Sequence, residues 1–162
     1  MTKILFICHG NICRSPMAEF IMKDLVAKSG LSERFEISSA ATSTEEIGNS
    51  VYPPVRRKLN EHGIDCSCKR ARQLTNTDYD RYDLLIGMDQ ANLLNMQRIC
   101  GGDYGKKMHL LMEYTNHPGD VADPWYTRNF DETWRNVEDG CRGLLAFIVD
   151  NSSHMLELIL ED

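Results

Sequence analysis

The chain has 162 residues, of which 42% are hydrophobic and 26% charged, and its formal net charge at pH 7 is −6. A chain of this size and composition is expected to fold as a single domain over residues 1–162, with a core that needs neither disulfide nor metal. The negative net charge argues against non-specific nucleic-acid binding, which depends on many Lys and Arg side chains that neutralise phosphates.

Membrane insertion and export are also not expected from the sequence. No apolar run approaches the length of a membrane-spanning helix, and the apolar part of the N-terminus is too short for a signal peptide. The six cysteines are therefore interpreted as thiols rather than as a disulfide framework. We expect a cytoplasmic protein, and a monomer.

Short apolar runs alternate with segments of helical periodicity along the chain. The predicted elements, in chain order, are a strand at 3–8, a helix at 17–28 closed by Gly30, a strand at 35–38, a helix at 54–61, a strand at 83–88, a helix at 90–99 capped by Asp89, a strand at 107–112, and a closing helix from residue 131 toward the C-terminus. Ser15 is the predicted N-cap of the first helix, with Pro16 at its first position. Residues 113–130 lack periodicity and are predicted to form a long functional loop.

Alternating strands and helices predict a doubly wound α/β fold with a parallel sheet, whose ligands gather at the carboxyl ends of the strands. The loop after the first strand therefore has the position of a phosphate site. It reads Cys8-His9-Gly10-Asn11-Ile12-Cys13-Arg14-Ser15. Successive backbone N–H groups can form an anion-binding nest there, at the positive end of a helix. Gly10 and Asn11 are the residues that most easily adopt left-handed backbone angles in so tight a loop.

Two side chains would turn this nest into a reaction site. The planar guanidinium of Arg14 fits two phosphate oxygens at once. Cys8 would lie in the field that attracts phosphate, and such surroundings favour the nucleophilic thiolate, to which Ser15 can donate a hydrogen bond. A cysteine at the end of a buried strand is more often a core residue, but the complete Cys-x5-Arg-Ser pattern between strand and helix favours catalysis.

At these residues the chain resembles the low-molecular-weight protein tyrosine phosphatases. The resemblance covers nearly the whole length, through residues 8–16, Ser39-Ala40-Ala41-Thr42, Met88-Asp89-Gln90-Ala91-Asn92-Leu93 and Asp123-Pro124-Trp125-Tyr126. It implies a doubly wound α/β domain with a four-stranded parallel sheet. It also implies hydrolysis of phosphotyrosine proteins or small aryl phosphates through a phosphocysteine intermediate, with neither cofactor nor metal.

The resemblance implies roles for individual residues. Cys8 would be the nucleophile, Arg14 and the loop amides would hold the phosphoryl oxygens, and Asp123 would protonate the leaving phenolate and then activate water. Asn11, Ser15, Ser39 and His62 match positions of a polar network that supports the loop, and Trp125 and Tyr126 match rim aromatics. His9 occupies a variable position, and Glu45 stands where some relatives have an aromatic wall residue, so the charge of the rim departs from theirs.

Other functions remain open at this stage. An arsenate reductase of the same fold would need two further cysteines after the third strand, where residues 83–99 contain none and Cys100 stands alone. A phosphoarginine phosphatase typically has threonine where this chain has Ile12. A non-catalytic phosphate-binding module would have no use for Cys8 together with Asp123. His62, Cys66 and Cys68 suggest a metal, but no second ligand pair with zinc spacing follows.

Cys13 suggests redox control. It lies five residues from Cys8 on a loop that curls around one anion, so that a disulfide between them is geometrically plausible. An accessible thiolate is attacked by peroxide, and a neighbouring thiol can capture the resulting sulfenic acid before it is oxidised irreversibly. The simpler alternative is that Cys13 only packs beneath the loop.

Overall fold

The structure, a computed structural model, describes the backbone of residues 1–160 and the side chains of residues 1–152. Its strands are β1 (Thr2–Cys8), β2 (Phe35–Ala41), β3 (Leu84–Gly87) and β4 (Met108–Leu110). Its α-helices are α1 (Arg14–Lys28), α2 (Pro53–Glu61), α3 (Asn76–Arg81), α4 (Gln90–Cys100), α5 (Pro124–Thr127) and α6 (Phe130–Leu160). Two 3-10 segments, Ser32–Arg34 and Leu111–Tyr114, complete the elements of this part of the chain.

The four strands form one parallel sheet in the order β2-β1-β3-β4. The first strand is interior, and Ile4 pairs with Ile37 on one side and with Leu84 on the other. The chain thus winds in one direction to β2 and in the other to β3 and β4, which confirms the doubly wound fold. In such sheets the ligand site lies where the winding reverses, at the carboxyl end of β1.

Helices cover both faces of the sheet, and the alternating side chains of β1 divide the core between them. Ile4 and Phe6 pack in the cluster that includes residues of α1 and α6. Leu5 and Ile7 pack on the opposite face with residues of α3 and α4. All four side chains are completely buried, as expected of a continuous apolar run in a parallel sheet.

Several local predictions differ from the structure. The first helix begins at Arg14 with Cys13 as its N-cap residue, so the prediction of Ser15 as N-cap was wrong. The hydroxyl of Ser15 is occupied instead by contacts with Cys8 and Asn11. The predicted fourth strand is shorter, because the chain turns into the 3-10 segment after Leu110, where the Glu113 carboxylate accepts a hydrogen bond from the Leu110 amide.

Two short helices lie where none was predicted. α3 has the polar sequence NTDYDR and is initiated by a capping box between Thr75 and Asp78. α5 interrupts the predicted loop and begins at Pro124, with the side chain of Asp123 as its N-cap. The closing helix is present as α6 through Leu160, and its predicted continuation over residues 161–162 lies outside the described residues. Among the described helices, none is both long and apolar enough to cross a membrane.

Candidate active site

Residues 9–13 connect the buried strand β1 to α1 in a tight loop. Asn11 adopts the predicted left-handed conformation, with a φ of 59°, whereas Gly10 does not have a positive φ. The expectation that Gly10 would share this conformation was therefore wrong. The buried Asn11 side chain holds the turn, because its Nδ2 donates to Ser15 Oγ at 2.8 Å and to Ser39 Oγ at 2.9 Å.

Cys8 ends β1 at the base of this loop, and only 3% of it is exposed. Its Sγ lies 2.9 Å from Ser15 Oγ and accepts a longer hydrogen bond, of 3.4 Å, from the Ser15 backbone N–H. Because Asn11 already donates to the Ser15 oxygen, the Ser15 hydroxyl hydrogen is free to point at the sulfur. Donors of this kind, next to a helix N-terminus, stabilise a thiolate.

Arg14 is 2% exposed and extends between two carboxylates. Its Nη1 donates to Asp89 Oδ2 at 2.7 Å and to the Val121 carbonyl at 2.9 Å, and its Nη2 lies 3.4 Å from Asp123 Oδ2. Burial alone lowers the pKa of Arg14, but interactions with Cys8 and with the two carboxylates outweigh burial and raise it. The guanidinium is thus a fixed positive charge at the mouth of the loop.

Asp123 reaches the same place from the other side of the site. It is the N-cap residue of α5, and its Oδ1 accepts from the Trp125 backbone N–H at 3.0 Å. Its Oδ2 faces Arg14, and a quarter of the side chain is exposed. Asp123 lines the same pocket as Cys8 and Arg14, so a thiol, a guanidinium and a carboxyl group surround one small space.

The rim of this pocket is aromatic on one side and acidic on the other. Trp125 is 47% exposed and packs against Tyr52 with ring centroids 5.1 Å apart, and Tyr126 is 82% exposed. The same pocket is lined by Glu45, whose Oε2 lies 3.0 Å from His9 Nε2, and by Glu46. His9, Glu45, Trp125 and Tyr126 all line the pocket, and Glu46 adds a second carboxylate to its lining.

Ile12 and Cys13 also line the pocket, and both are buried. Burial raises the pKa of the Cys13 thiol, and the neighbouring Cys8 and Asp123 raise it further. These influences favour the neutral thiol form of Cys13. Cys8 and Cys13 are the only cysteines among the described residues that line the pocket.

A polar network supports the loop from below, but its composition differs from the prediction. Ser39, in the second half of β2, is fully buried and joins Asn11 as expected. Its Oγ donates to Glu19 Oε1 at 2.6 Å, and its carbonyl accepts from Lys69 Nζ at 2.9 Å. Glu19 and Lys69 were missed, because a Glu and a Lys in the sequence usually indicate a solvated face rather than a buried network.

His62 does not join this network, and its predicted place there was wrong. Its ring Nδ1 donates to the Lys58 carbonyl at the end of α2, and the ring stacks on Trp134 of α6 with centroids 4.1 Å apart. The chain turns back after His62, so that Lys69, seven residues later, reaches Ser39. Within the described part of the chain, no group of three or more His, Cys, Asp or Glu side chains could hold a metal ion.

A cysteine and an arginine around a strand-loop-helix oxyanion site, with a carboxylic acid opposite, define a doubly wound α/β protein built for phosphoryl chemistry. The family model described as low molecular weight phosphotyrosine protein phosphatase matches residues 3–154. The chain belongs to this family.

Individual relatives agree with the family assignment. The low molecular weight protein-tyrosine-phosphatase YfkJ of Bacillus subtilis is 38% identical over 150 residues, which cover 91% of this chain and 96% of the relative. The low molecular weight phosphotyrosine protein phosphatase of Dictyostelium discoideum is 34% identical, with 85% and 88% covered. The crystal structure of YfkJ superimposes with a TM-score of 0.90 at 37% identity, covering 93% of this chain and 96% of that one.

Proposed function

We propose that this protein is a protein tyrosine phosphatase that hydrolyses phosphotyrosine and small aryl phosphates through a phosphocysteine intermediate. One observation carries the proposal: Cys8 and Arg14, at the two ends of the loop after β1, line one pocket together with Asp123, which is 109 residues beyond Arg14 in the sequence. Their chemical types are those of a nucleophile, an oxyanion binder and a general acid.

In the first step, the Cys8 thiolate attacks phosphorus from below. The Arg14 guanidinium and the loop amides hold the equatorial oxygens, where transition-state charge accumulates. The phosphorus–oxygen bond to the aryl group breaks, and the departing oxygen takes the proton of Asp123. Because phenolate is strongly basic, with a parent pKa of about 10, this proton assistance matters for its departure.

In the second step, water attacks the phosphocysteine on the side that the phenol has left. The Asp123 carboxylate accepts a proton from this water, and the phosphorus–sulfur bond breaks. Inorganic phosphate leaves and the Cys8 thiolate is restored, with Ser15 donating to it. These side chains and water account for every proton and electron pair of the cycle.

The aromatic side chains at the rim of the pocket favour a substrate with an aromatic ring. Trp125 and Tyr126 stand exposed beside the pocket, where they can contact the ring of phosphotyrosine, and the neighbouring branched side chain of Ile12 adds an apolar surface. We propose these three residues as substrate contacts. We propose His9 and Glu45 as rim residues that influence which peptide residues are preferred next to the phosphotyrosine.

We also propose the domain organisation, the cellular location and the oligomeric state of the protein. All described strands belong to one sheet, which supports a single phosphatase domain over residues 1–162. All six cysteines are free thiols, which supports a reducing, cytoplasmic location. We propose a monomer, and size-exclusion chromatography with light scattering would test that state.

Steady-state hydrolysis of phenyl phosphate and of a phosphotyrosine peptide, in the presence of a chelator, tests the proposed activity. Cys8→Ser should abolish turnover and still bind vanadate, whereas Arg14→Ala should lose both properties, because the oxyanion loses its charged partner. Full activity of Cys8→Ser would overturn the mechanism. Arsenate with a thiol reductant, and phosphoarginine, are run separately; turnover of either in place of aryl phosphate would favour the corresponding alternative.

A further inference from the structure

The end of α5 has an unusual backbone conformation. Arg128 is its C-cap residue and has a φ of 58°, in the left-handed region, and the Arg128 N–H donates to the Pro124 carbonyl at 2.9 Å. Glycine is the usual residue at such a position, because a side chain there costs conformational energy. The Arg128 side chain makes contacts that a glycine could not make, and these contacts converge on Tyr52.

The guanidinium of Arg128 joins α5 to Tyr52. Its Nη1 donates to Tyr52 Oη at 2.9 Å. Its Cζ lies 5.7 Å from the centroid of the Tyr52 ring and 5.5 Å from that of Trp125, and the two rings are 5.1 Å apart. A guanidinium within about 6 Å of an aromatic centroid is attracted to the ring. A hydrogen bond and two cation–π contacts therefore hold these three side chains together.

Tyr52 is in turn attached to the loop between β1 and α1. Its backbone N–H donates to the Ile12 carbonyl at 2.9 Å, and Tyr52 is also the N-cap residue of α2. Ile12 belongs to the loop that follows the proposed nucleophile, Cys8. Direct contacts thus connect this loop with the short helix that Asp123 caps.

On the N-terminal side of the proposed acid, the chain is anchored in the core. Val121 is fully buried, its backbone N–H donates to the Met88 carbonyl at 2.8 Å, and its carbonyl accepts from Arg14 Nη1 at 2.9 Å. These bonds fix the backbone two residues before Asp123. The orientation of Asp123 itself depends also on α5, because its carboxylate caps that helix.

On the C-terminal side, the chain has fewer attachments. Residues 125–129 are exposed, and a helix of four residues does not persist in water without support from other elements. Among the described residues, the only hydrogen bond from 124–128 to a partner outside 123–133 is the one that Arg128 donates to Tyr52. Together with the packing of Trp125 on Tyr52, this bond attaches α5 to the rest of the fold.

We propose that Tyr52 and Arg128 are positioning residues for the general acid: they hold α5 against the loop between β1 and α1, and so set the position of the Asp123 carboxyl group relative to the Cys8 thiolate. This inference rests on the proposed function. Without the link, α5 would shift, and a displacement of about 1 Å in a reacting group can cost about 100-fold in rate.

The chain offers a matched control in Arg81, the last residue of α3. Its Cζ lies 5.3 Å from the centroid of the Tyr82 ring, and its side chain is 58% exposed. It also donates to Glu36, near the amino end of β2 and away from the carboxyl ends of the strands. Arg81→Met therefore removes the same charge and a similar contact with a tyrosine, but outside the site.

The first test measures kcat/KM for phenyl phosphate and for para-nitrophenyl phosphate, whose more acidic leaving group needs less proton assistance. Arg128→Met should lower kcat/KM about tenfold for phenyl phosphate and at most about threefold for para-nitrophenyl phosphate. The loss of positive charge alone would affect both substrates equally, because both carry the same phosphate. Arg81→Met should stay within about twofold for both.

Tyr52→Phe removes the hydrogen bond to Arg128 without changing any charge, and it keeps the ring and the backbone bond to Ile12. It should lower kcat/KM about threefold for phenyl phosphate, and less for para-nitrophenyl phosphate. Arg128→Gly separates the side chain from the backbone, because glycine adopts the left-handed conformation more readily. It should lose as much activity as Arg128→Met.

A double-mutant cycle tests whether the link acts through the acid. In an Asp123→Asn background, where the cap of α5 is kept, Arg128→Met should lower kcat/KM for phenyl phosphate by less than about twofold. Equal losses for the two substrates, additivity with Asp123→Asn, or wild-type activity of Arg128→Gly would each overturn the proposal.

Amide hydrogen exchange, measured by mass spectrometry of peptides, tests the link without phosphatase turnover. Exchange over residues 125–129 should be several-fold faster in Tyr52→Phe and Arg128→Met than in the wild-type protein, and unchanged in Arg81→Met. If these variants exchanged faster but the wild-type protein failed to hydrolyse aryl phosphates, the proposed function would fail and the link would stand. Unchanged exchange in an active protein would refute the link alone, so the two failures are distinguishable.

Discussion

Replacing Asp123 by Asn separates the proposed acid from its structural role. Asp123 caps α5 through its Oδ1, and Asn is as good an N-cap residue as Asp. The variant thus keeps α5, with Trp125 and Tyr126, in place and removes only the ionisable group. We expect thermal stability close to that of the wild-type protein.

The variant should turn over substrate more slowly but bind phosphate more tightly. Loss of a general acid costs roughly 10²- to 10⁴-fold in kcat for a basic leaving group such as phenolate, and less for a more acidic phenol. In the wild-type protein, Asp123 Oδ2 lies 3.4 Å from Arg14 Nη2, so we expect its carboxylate to compete with phosphate for the guanidinium. With a quarter of Asp123 exposed, the lost attraction is about 1 kcal/mol, which corresponds to roughly fivefold tighter phosphate binding.

The measurement is kcat for a series of aryl phosphates with leaving groups of different pKa, together with the inhibition constants of phosphate and vanadate. The dependence of kcat on leaving-group pKa should steepen in Asp123→Asn. An equal loss for acidic and basic leaving groups would refute the assignment of Asp123 as the acid. Weaker phosphate binding would refute the argument that its carboxylate competes for Arg14.

Three further predictions concern packing, the rim and oxidation. In Gly143→Ala, the added Cβ would lie 1.9 Å from the Tyr114 carbonyl oxygen. The resulting overpacking outweighs the helix preference of Ala, so the free energy of unfolding in urea titrations should fall by about 1–3 kcal/mol. An unchanged midpoint and slope would contradict this packing argument. Glu45→Gln should lower the preference for basic over acidic phosphotyrosine peptides, in kcat/KM, by roughly twofold to fivefold at low salt; an unchanged ratio would mean that Glu45 does not meet the peptide. Peroxide should inactivate the wild-type enzyme reversibly, with a dithiol restoring activity, whereas Cys13→Ser should recover far less. Absence of a Cys8–Cys13 bridge by mass mapping, with equal recovery, would leave Cys13 a packing residue.

The parts of the fold that follow from local pattern could be predicted from the sequence. Helices cover both faces of β1, so that Ile4 to Cys8 are buried and form one apolar run. The loop motif is contiguous, and its conformational requirement is visible at Asn11, which has the predicted positive φ. Asp123 could be placed only through the resemblance, because the Asp-Pro dipeptide by itself indicates a turn.

Features that depend on tertiary contacts could not be predicted. The helix α3 is short and polar, and its capping box holds it where hydrophobic periodicity gives no signal. Glu19 and Lys69 have the sequence character of solvated charges, and only the folded chain shows that they meet beneath Ser39. His62 was assigned to that position through the resemblance, whereas the turn after α2 brings Lys69 there and leaves His62 stacked on Trp134.

The short helix α5 joins the proposed acid to the aromatic rim within one helical turn. Asp123 accepts a hydrogen bond from the backbone of Trp125, and Tyr126 follows within the same turn. A substrate whose ring rests on these aromatics therefore also sets the distance between the carboxyl group and the scissile oxygen. An alkyl phosphate lacks the ring, so it would bind more weakly and its scissile oxygen would be less well aligned with the carboxyl group. Discrimination against phosphoserine would therefore arise in kcat as well as in KM.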